Sequence, residues 1–466
     1  MRQPGPHRQP MSLKPLPFRP APGPGGLRGQ RVGIWGLGRH GGGLALAQYL
    51  LGEGARLAWI IDAQPAKTGS PEAAFLAAHT EIRWLPAPEP VLIDELDWLV
   101  VSPAVPPRAL DQCPLPPLTS AEAIFARAHR GPRIAITGTK GKSTTAALLG
   151  QLLDWPVAGN SWTPLLEHLH LRGPEAPVVC ELSSFQLRYL SQDPFHPDIA
   201  ILTQLDCDHL DWHPDLSDYH QAKLQLLDWA PALVLGRGYQ PNPAQAAKLL
   251  PQVRVCDKRL ALPHGETLME LCELPLLGRH NAENAALAAS AALAKGLSPG
   301  LIADRCRRFT PLPHRLEPVH QLGGIRFIND SIATNPLASM AAVNAIPGPL
   351  AIILGGHHKG ADFDGLLRLL GQRQAHIHLI GEAAKVLAAG CRSLGLAATT
   401  HPNLAAACSA ALTDLQKQHR GVGCVLLAPA CASFGEFEDF AARGRAFCEL
   451  VRQLGAASSA QQTPAC

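Results

Sequence analysis

Residues 133–153 constrain this chain more than any other stretch. Arg133-Ile134-Ala135-Ile136-Thr137 is a buried-type strand, and it runs directly into Gly138-Thr139-Lys140-Gly141-Lys142-Ser143-Thr144. A helical run, Ser143 to Leu153, follows without a gap. Strand, glycine turn and helix in that order demand an α/β layer in which the turn sits at the strand's carboxyl end. Glycines let backbone N–H groups face inward, and the helix adds its positive N-terminus, so the loop is built to hold phosphate oxygens. Lys142 can reach the β- and γ-phosphates of a nucleotide, and Ser143 or Thr144 can ligate Mg²⁺. The loop is one residue pair shorter than the usual eight-residue phosphate loop. The competing reading is a glycine turn with an incidental lysine; the clear strand before it and helix after it argue against that.

The rest of the chain repeats this grammar. Arg31 to Trp35 is a strand, Gly36-Leu37-Gly38-Arg39-His40-Gly41 a glycine turn, Leu44 to Leu51 a helix, and Ala55 to Ile61 a second strand ending at Asp62. Leu96 to Val101 is another strand, ending at Ser102-Pro103. Strands at Val178–Leu182 and Ile199–Leu205 follow the phosphate loop, and residues 281–295 read as a helix. Beyond Leu312-Pro313-His314-Arg315, strands at Ile325–Ile328, Leu350–Leu354, Ile377–Ile380 and Cys424–Leu427 alternate with helices. At about 150 residues per domain, 466 residues suit three α/β domains in series. The expected division is 29–128, 129–311 and 312–466, the first and last Rossmann-like and the middle one the phosphate-loop domain. Residues 1–28 are expected to be a disordered tail, because eight prolines in the first 25 residues oppose both helix and sheet.

Composition excludes several classes. A net charge of +3 is too small to imply nucleic acid or an anionic membrane. No apolar run approaches the ~18 residues of a membrane span, and no apolar segment follows the basic N-terminus as in a signal peptide. Twelve cysteines without a C-x-x-C pair read as reduced thiols, hence a cytoplasmic protein.

Three further features carry chemistry. The Gly36–Gly41 turn with Asp62 one strand later fits a dinucleotide fingerprint, and equally any ligand with phosphates and a ribose, or a structural turn. Glu181 closes the apolar run Val178-Val179-Cys180, where a carboxylate can hold Mg²⁺ opposite the phosphate loop. His209, in Asp208-His209-Leu210-Asp211, follows another strand of the same domain and is either structural or part of the site. No Asn-Lys-x-Asp follows a strand, so GTPase base reading is not evident.

With these residues in hand, the chain resembles the Mur ligase family, nearest to its glutamate-adding members, from about residue 30 to residue 452. The resemblance rests on the phosphate loop, Glu181-Leu182-Ser183-Ser184-Phe185-Gln186-Leu187, Asp208-His209-Leu210-Asp211 and Gly278-Arg279-His280-Asn281-Ala282-Glu283-Asn284. It continues through Leu312–Arg315, Asn329-Asp330-Ser331-Ile332-Ala333-Thr334-Asn335, Leu354–Phe363 and Pro429-Ala430-Cys431-Ala432-Ser433-Phe434. It implies an ATP-dependent amide-forming ligase that joins D-glutamate to UDP-N-acetylmuramoyl-L-alanine through an acyl phosphate in peptidoglycan precursor synthesis, acting as a monomer. On that resemblance Arg39, His40, Asp62 and Ser102 meet the uridine nucleotide. Asn160 and Ser183 lie toward the muramoyl substrate. Gly138, Thr139, Lys140, Gly141, Lys142, Ser143, Thr144, Asn281, Asn284, Arg315 and Asp330 hold ATP. Ser143, Glu181, His209 and Lys223 serve two Mg²⁺ ions, with Lys223 carbamylated. Thr334, Lys359, Ser433 and Phe440 hold glutamate. Lys142, Glu181, His209 and Lys223 are the catalytic set.

The chain departs from the family pattern in places. Ile332 stands where many relatives have lysine in Asp-Ser-Lys-Ala-Thr-Asn, and Cys207 where a glutamate is common. The pattern Gly-Asn-Ile-Gly-x-Pro becomes Gly159-Asn160-Ser161-Trp162-Thr163-Pro164. The alternatives are the same reaction with L-glutamate, another Mur or folylpolyglutamate-type ligase, and a nucleotide switch without ligase turnover.

Overall fold

The computed structural model describes residues 16–37, 41–89, 95–110, 115–190, 192–358 and 360–461, with side chains as far as residue 455. The chain forms two compact units, one reaching Leu268 and taking in Glu283–Cys306, the other comprising Met269–Ala282 and the residues from Arg307 onward.

The first unit holds two parallel five-stranded sheets. One is built from β1 (Arg31–Trp35), β2 (Arg56–Ile61), β3 (Arg83–Leu85), β4 (Trp98–Val101) and β5 (Leu118–Thr119) in the order β3-β2-β1-β4-β5. The other uses β6 (Arg133–Thr137), β7 (Val157–Gly159), β8 (Val178–Glu181), β9 (Ile199–Leu202) and β10 (Leu233–Leu235) in the order β10-β9-β6-β8-β7. One apolar core runs through both, from Ala21 and Val32 to Leu202 and Leu233. A small sheet of β11 (Arg254–Cys256), β12 (Arg259–Ala261) and β13 (Thr267–Glu270) follows in sequence. The second unit carries β14 (Glu317–Leu322), β15 (Gly324–Asn329), β16 (Leu350–Gly355), β17 (His376–Ile380), β18 (Ala398–Thr400) and β19 (Val422–Leu427), ordered β14-β15-β19-β16-β17-β18. Among the described residues its named strands pair in parallel except in the hairpin β14–β15.

The expected α/β architecture is therefore present, with two parallel five-stranded sheets and one six-stranded sheet that is parallel apart from β14. The cause is visible in the strands. Ile134, Ala135 and Ile136 in β6, and Ile352, Ile353 and Leu354 in β16, are fully buried. Strands apolar on both faces are stable only when helices cover both faces, and each fully buried Ile or Leu stabilises by about 1.5–3 kcal/mol.

The expectation that order begins near Gly29 is corrected for residues 16–28. Proline cannot donate to a sheet, but the residues between the prolines can. Arg19 N–H donates to the Leu118 carbonyl at 2.9 Å, and Ala21 N–H to Asp193 Oδ2 at 2.7 Å. Phe18 is buried with its ring 4.7 Å from that of Tyr189, and Ala21 and Leu27 join the core. Residues 1–15 lie outside the described residues. Phe18→Ala should lower the unfolding free energy by about 3 kcal/mol in chemical denaturation; a change under about 0.5 kcal/mol, the size of an ordinary surface substitution, would mean the segment does not dock.

Candidate active site

Strand β6 ends at Thr137, and the chain turns through Gly138–Gly141 into the helix Lys142–Leu153. Gly138 has φ 146°, and a Cβ there would lie 2.0 Å from Thr203 Oγ1. Gly141 has φ 88°, and a Cβ there would lie 2.3 Å from Asn284 Oδ1. Both positions thus require glycine for conformation and for space. Thr203 Oγ1 donates to the Lys140 carbonyl at 2.5 Å, and Thr139 N–H donates to the Gln204 carbonyl at 2.6 Å. Tyr219 donates its hydroxyl to Thr139 Oγ1 at 2.9 Å. The loop is held from outside, so its own backbone is shaped before any ligand arrives. The helix N-cap is Gly141 with no capping side chain, which leaves the positive end of the helix open to an anion.

Three lysines surround this loop. Lys142 Nζ donates to the Gly138 carbonyl at 3.0 Å and the Thr139 carbonyl at 3.3 Å. Lys140 pairs with Asp208 at 3.3 Å. Lys223, on the helix Leu216–Trp229, is 1% exposed and donates to the Gly138 carbonyl at 3.0 Å, with its ammonium 4.6 Å from the Tyr219 ring centre. Burial, and then the nearby Lys142 cation, pull the Lys223 pKa well below that of an ordinary lysine; Asp208 and Glu181 only partly offset them. A buried amine in that field is disposed to be neutral.

Glu181 ends β8 and pairs in register with Ile136 of β6, so it stands beside the start of the phosphate loop. It is 1% exposed. Asn160 Nδ2 donates to its Oε1 at 2.9 Å, and Trp162 Nε1 to its Oε2 at 2.7 Å. His209 has φ 54°, and its ring lies 4.8 Å from that of Phe185, edge-on. Its pKa is lowered by burial, with Lys223 and Lys142 adding to the shift against Asp208 and Asp211. Ser143 and Thr144 are buried in the first turn of the helix.

The residues fit a nucleotide with its cation. Among the described residues no group of three His, Cys, Asp or Glu is arranged to cage a metal alone. Mg²⁺ is usually held by one or two protein oxygens together with substrate phosphates, and the phosphate cradle with Glu181 at its side is that kind of donor set.

Other expected residues separate by place. Asn284 abuts Gly141, whereas Asn281 belongs to the second unit and donates from Nδ2 to the Leu277 carbonyl at 2.8 Å. Asp62 Oδ2 accepts from Leu37 N–H at 3.0 Å, and Ser102 Cβ lies 2.8 Å from where a Cβ on Gly36 would be, so both border the first glycine turn. Arg39, His40 and Lys359 lie outside the described residues. Ser183 caps the helix Ser184–Tyr189 in a reciprocal box with Gln186, which gives its hydroxyl a structural task.

In the second unit, Asp330 follows β15 and accepts from Leu316 N–H at 3.0 Å. Burial raises its pKa to about 6, against the opposing Leu316 N–H and Arg315 charge. Arg443 is 1% exposed, and its guanidinium donates to the Ser331 hydroxyl and carbonyl and to the Cys431 carbonyl at 3.0–3.1 Å. It ties the segment after β15, which carries Ile332 and Thr334, to the segment after β19, which carries Ser433. Ser331 in turn donates to the carbonyl of Phe440, so the expected glutamate residues Thr334, Ser433 and Phe440 share one scaffold.

Sequence reasoning missed Thr203, Tyr219, Trp162 and Arg443 as parts of these sites. It also missed His213, whose ring bridges Asp218 at 2.6 Å and Ser184 at 3.0 Å, joining the His209 segment to the helix that follows Glu181. The Asp208–His213 stretch was the available signal.

Comparison with known proteins establishes the family and the fold. Residues 136–237 match the Mur ligase middle domain, and residues 314–431 the Mur ligase glutamate ligase domain. The UDP-N-acetylmuramoylalanine--D-glutamate ligase of Syntrophus aciditrophicus (strain SB) is 31% identical over 91% of this chain and 98% of its own length. The enzyme of that name from Pelotomaculum thermopropionicum gives the same identity and coverage. The crystal structure of UDP-N-acetylmuramate-alanine ligase MurC from Thermotoga maritima matches the fold with TM-score 0.55 at 16% identity, over 91% of this chain and all of that one. MurF from Acinetobacter baumannii also gives TM-score 0.55, at 17% identity over 91% of this chain and 93% of its own. The chain belongs to the Mur ligase family of ATP-dependent ligases, and it is similar over nearly its whole length to UDP-N-acetylmuramoylalanine--D-glutamate ligases.

Proposed function

We propose that this ligase joins D-glutamate to UDP-N-acetylmuramoyl-L-alanine in peptidoglycan precursor synthesis, as a cytoplasmic monomer with its working domains at 29–128, 129–311 and 312–466. The observation that carries the reading is the phosphate loop built between Thr203, Asn284 and Tyr219, with buried Lys223 and Glu181 at its edge. Among the described residues no helix is long and apolar enough to cross a membrane.

A carboxylate resists attack by an amine because resonance and charge protect it. One carboxylate oxygen of the muramoyl-alanine attacks the γ-phosphorus of ATP, ADP leaves, and an acyl phosphate forms. The glutamate amine then attacks the acyl carbon; the amide forms, phosphate departs, and the amine's proton passes to solvent. The protein's contribution is to position the reactants and neutralise charge. The loop N–H groups and Lys142 hold the β/γ-phosphates, and Ser143, Thr144 and Asn284 border them. Ser143, Glu181, His209 and the Lys223 carbamate would hold Mg²⁺, which would offset charge on the phosphoryl oxygens. Lys223 in its neutral form adds to CO₂, losing one proton, and becomes a carbamate anion; a bare ammonium would repel a cation there. In the first domain Arg39, His40, Asp62 and Ser102 bind the uridine nucleotide, and Asn160 and Ser183 border the muramoyl group. Asn281, Arg315 and Asp330 are assigned as ATP contacts by the family resemblance alone. Thr334, Lys359, Ser433 and Phe440 receive glutamate; since Ile332 has no charge to offer, Lys359 is the cation for its carboxylates.

Purified protein with ATP, Mg²⁺ and UDP-N-acetylmuramoyl-L-alanine should release phosphate with D-glutamate and little with L-glutamate. Release only with the L-enantiomer would reverse the stereochemical assignment, and release with neither would sink the reading. Lys142→Ala should lower kcat by about 10²–10³-fold, the usual cost of removing one transition-state donor; near-normal turnover would contradict the phosphate role. Enzyme supplied with ¹³C-bicarbonate should show a carbamate carbon in its NMR spectrum, absent in Lys223→Ala. The sign with pH follows from the depressed pKa. Above it the amine is neutral and captures CO₂; as pH falls through it the amine protonates, and both signal and activity should fade. An enzyme equally active without CO₂ would exclude the carbamate.

A further inference from the structure

Glu181 is gripped by a single loop. That loop runs from β7 to the helix Leu165–Arg172; Asn160 N–H ties it to β8 by donating to the Glu181 carbonyl at 3.0 Å, and Gly159 N–H closes the loop on itself by donating to the Thr163 carbonyl at 2.9 Å. Gly159 pairs in register with Glu181, so closely that a Cβ on it would sit 2.2 Å from the Glu181 carbonyl oxygen. The loop then reaches round to the side chain. Asn160 supplies an N–H to one carboxylate oxygen and the Trp162 indole supplies one to the other. Trp162 stands where the family pattern has glycine, and a glycine has no side-chain donor. In this chain the indole N–H of Trp162 fills one site on the Glu181 carboxylate.

We infer that Trp162 is a positioning residue that sets the orientation of the Glu181 carboxylate toward the cation held with ATP. A carboxylate has about four lone-pair sites on two oxygens. With one site on each oxygen taken by an N–H on the β7 side, rotation about the last side-chain torsion is stopped. The remaining sites then face a fixed direction. Partners that orient a metal ligand in this way are worth about 10–100-fold in metal affinity. The half-buried indole also covers the carboxylate on its loop side. The inference rests on the reading of Glu181 as a group that holds Mg²⁺.

The test is calorimetric binding of the non-hydrolysable ATP analogue AMP-PNP, with Mg²⁺ and with EDTA, to the full-length protein. Glu181→Gln should lose most of the affinity that Mg²⁺ adds; if it keeps that increment, the metal reading of Glu181 fails and the inference falls with it. Trp162→Phe keeps an aromatic ring but removes the N–H. It should weaken Mg²⁺-dependent binding about tenfold while leaving metal-free affinity and melting temperature as in the wild type. Trp162→His, which keeps a ring N–H, should recover part of the loss. Wild-type Mg²⁺-dependent binding in Trp162→Phe, beside a defective Glu181→Gln, would overturn the role of Trp162 alone. Equal weakening with and without metal, or no recovery in Trp162→His, would assign the effect to packing and overturn it as well.

Discussion

The position of β6 in its sheet is the constraint on which the rest depends. The order β10-β9-β6-β8-β7 means that the chain leaves β6 toward β7 and β8, but leaves β9 in the opposite direction, toward β10. Connections that part in this way open a crevice at the carboxyl ends of the two strands. The loop Gly138–Gly141 leaves β6 and the segment from Thr203 to His209 leaves β9, side by side at those carboxyl ends. Thr203 and Gln204 then bond directly to the phosphate loop. A shift of β6 by one place would separate these segments and leave the glycines with nothing to approach.

That crevice concentrates charge at a cost. The Lys142 and Lys140 cations both act on Lys223, which is buried beside them. Burying an amine without a carboxylate partner is tolerable chiefly in its neutral form. The same physics that makes Lys223 expensive as a cation makes it chemically available as an amine. Asp330 in the second unit shows the opposite sign: burial lifts its carboxyl to about 6, so it sheds its proton less readily than an exposed aspartate. Both are groups whose ordinary charge the fold discourages.

Much of this was legible in the sequence because it is local. Strand β6, the glycine loop and the helix after it follow from apolar runs and turn residues within 21 consecutive positions, 133–153. The placement of Glu181 at the end of β8 followed from the same kind of run. What was not legible depends on partners distant in sequence. The proline-rich segment looked incapable of order because proline withholds donors, yet Phe18 docks against Tyr189, 171 positions away. Ser183 looked like a substrate contact and is also a helix cap, since one hydroxyl can satisfy either demand. Trp162 looked like a disruption of a glycine-rich loop. Only the fold shows its indole reaching Glu181, and only the fold shows Arg443 binding the Ser331 and Cys431 segments together.

The central claim is that this crevice phosphorylates a carboxylate. Isotope transfer tests it most directly: UDP-N-acetylmuramoyl-L-alanine labelled with ¹⁸O in its free carboxylate, turned over with unlabelled ATP and D-glutamate in ordinary water, and the released phosphate weighed by mass spectrometry. An acyl phosphate hands one carboxylate oxygen to the departing phosphate, so each phosphate should carry one ¹⁸O. Unlabelled phosphate would mean that the γ-phosphoryl group goes to water rather than to the substrate, and the account would be wrong.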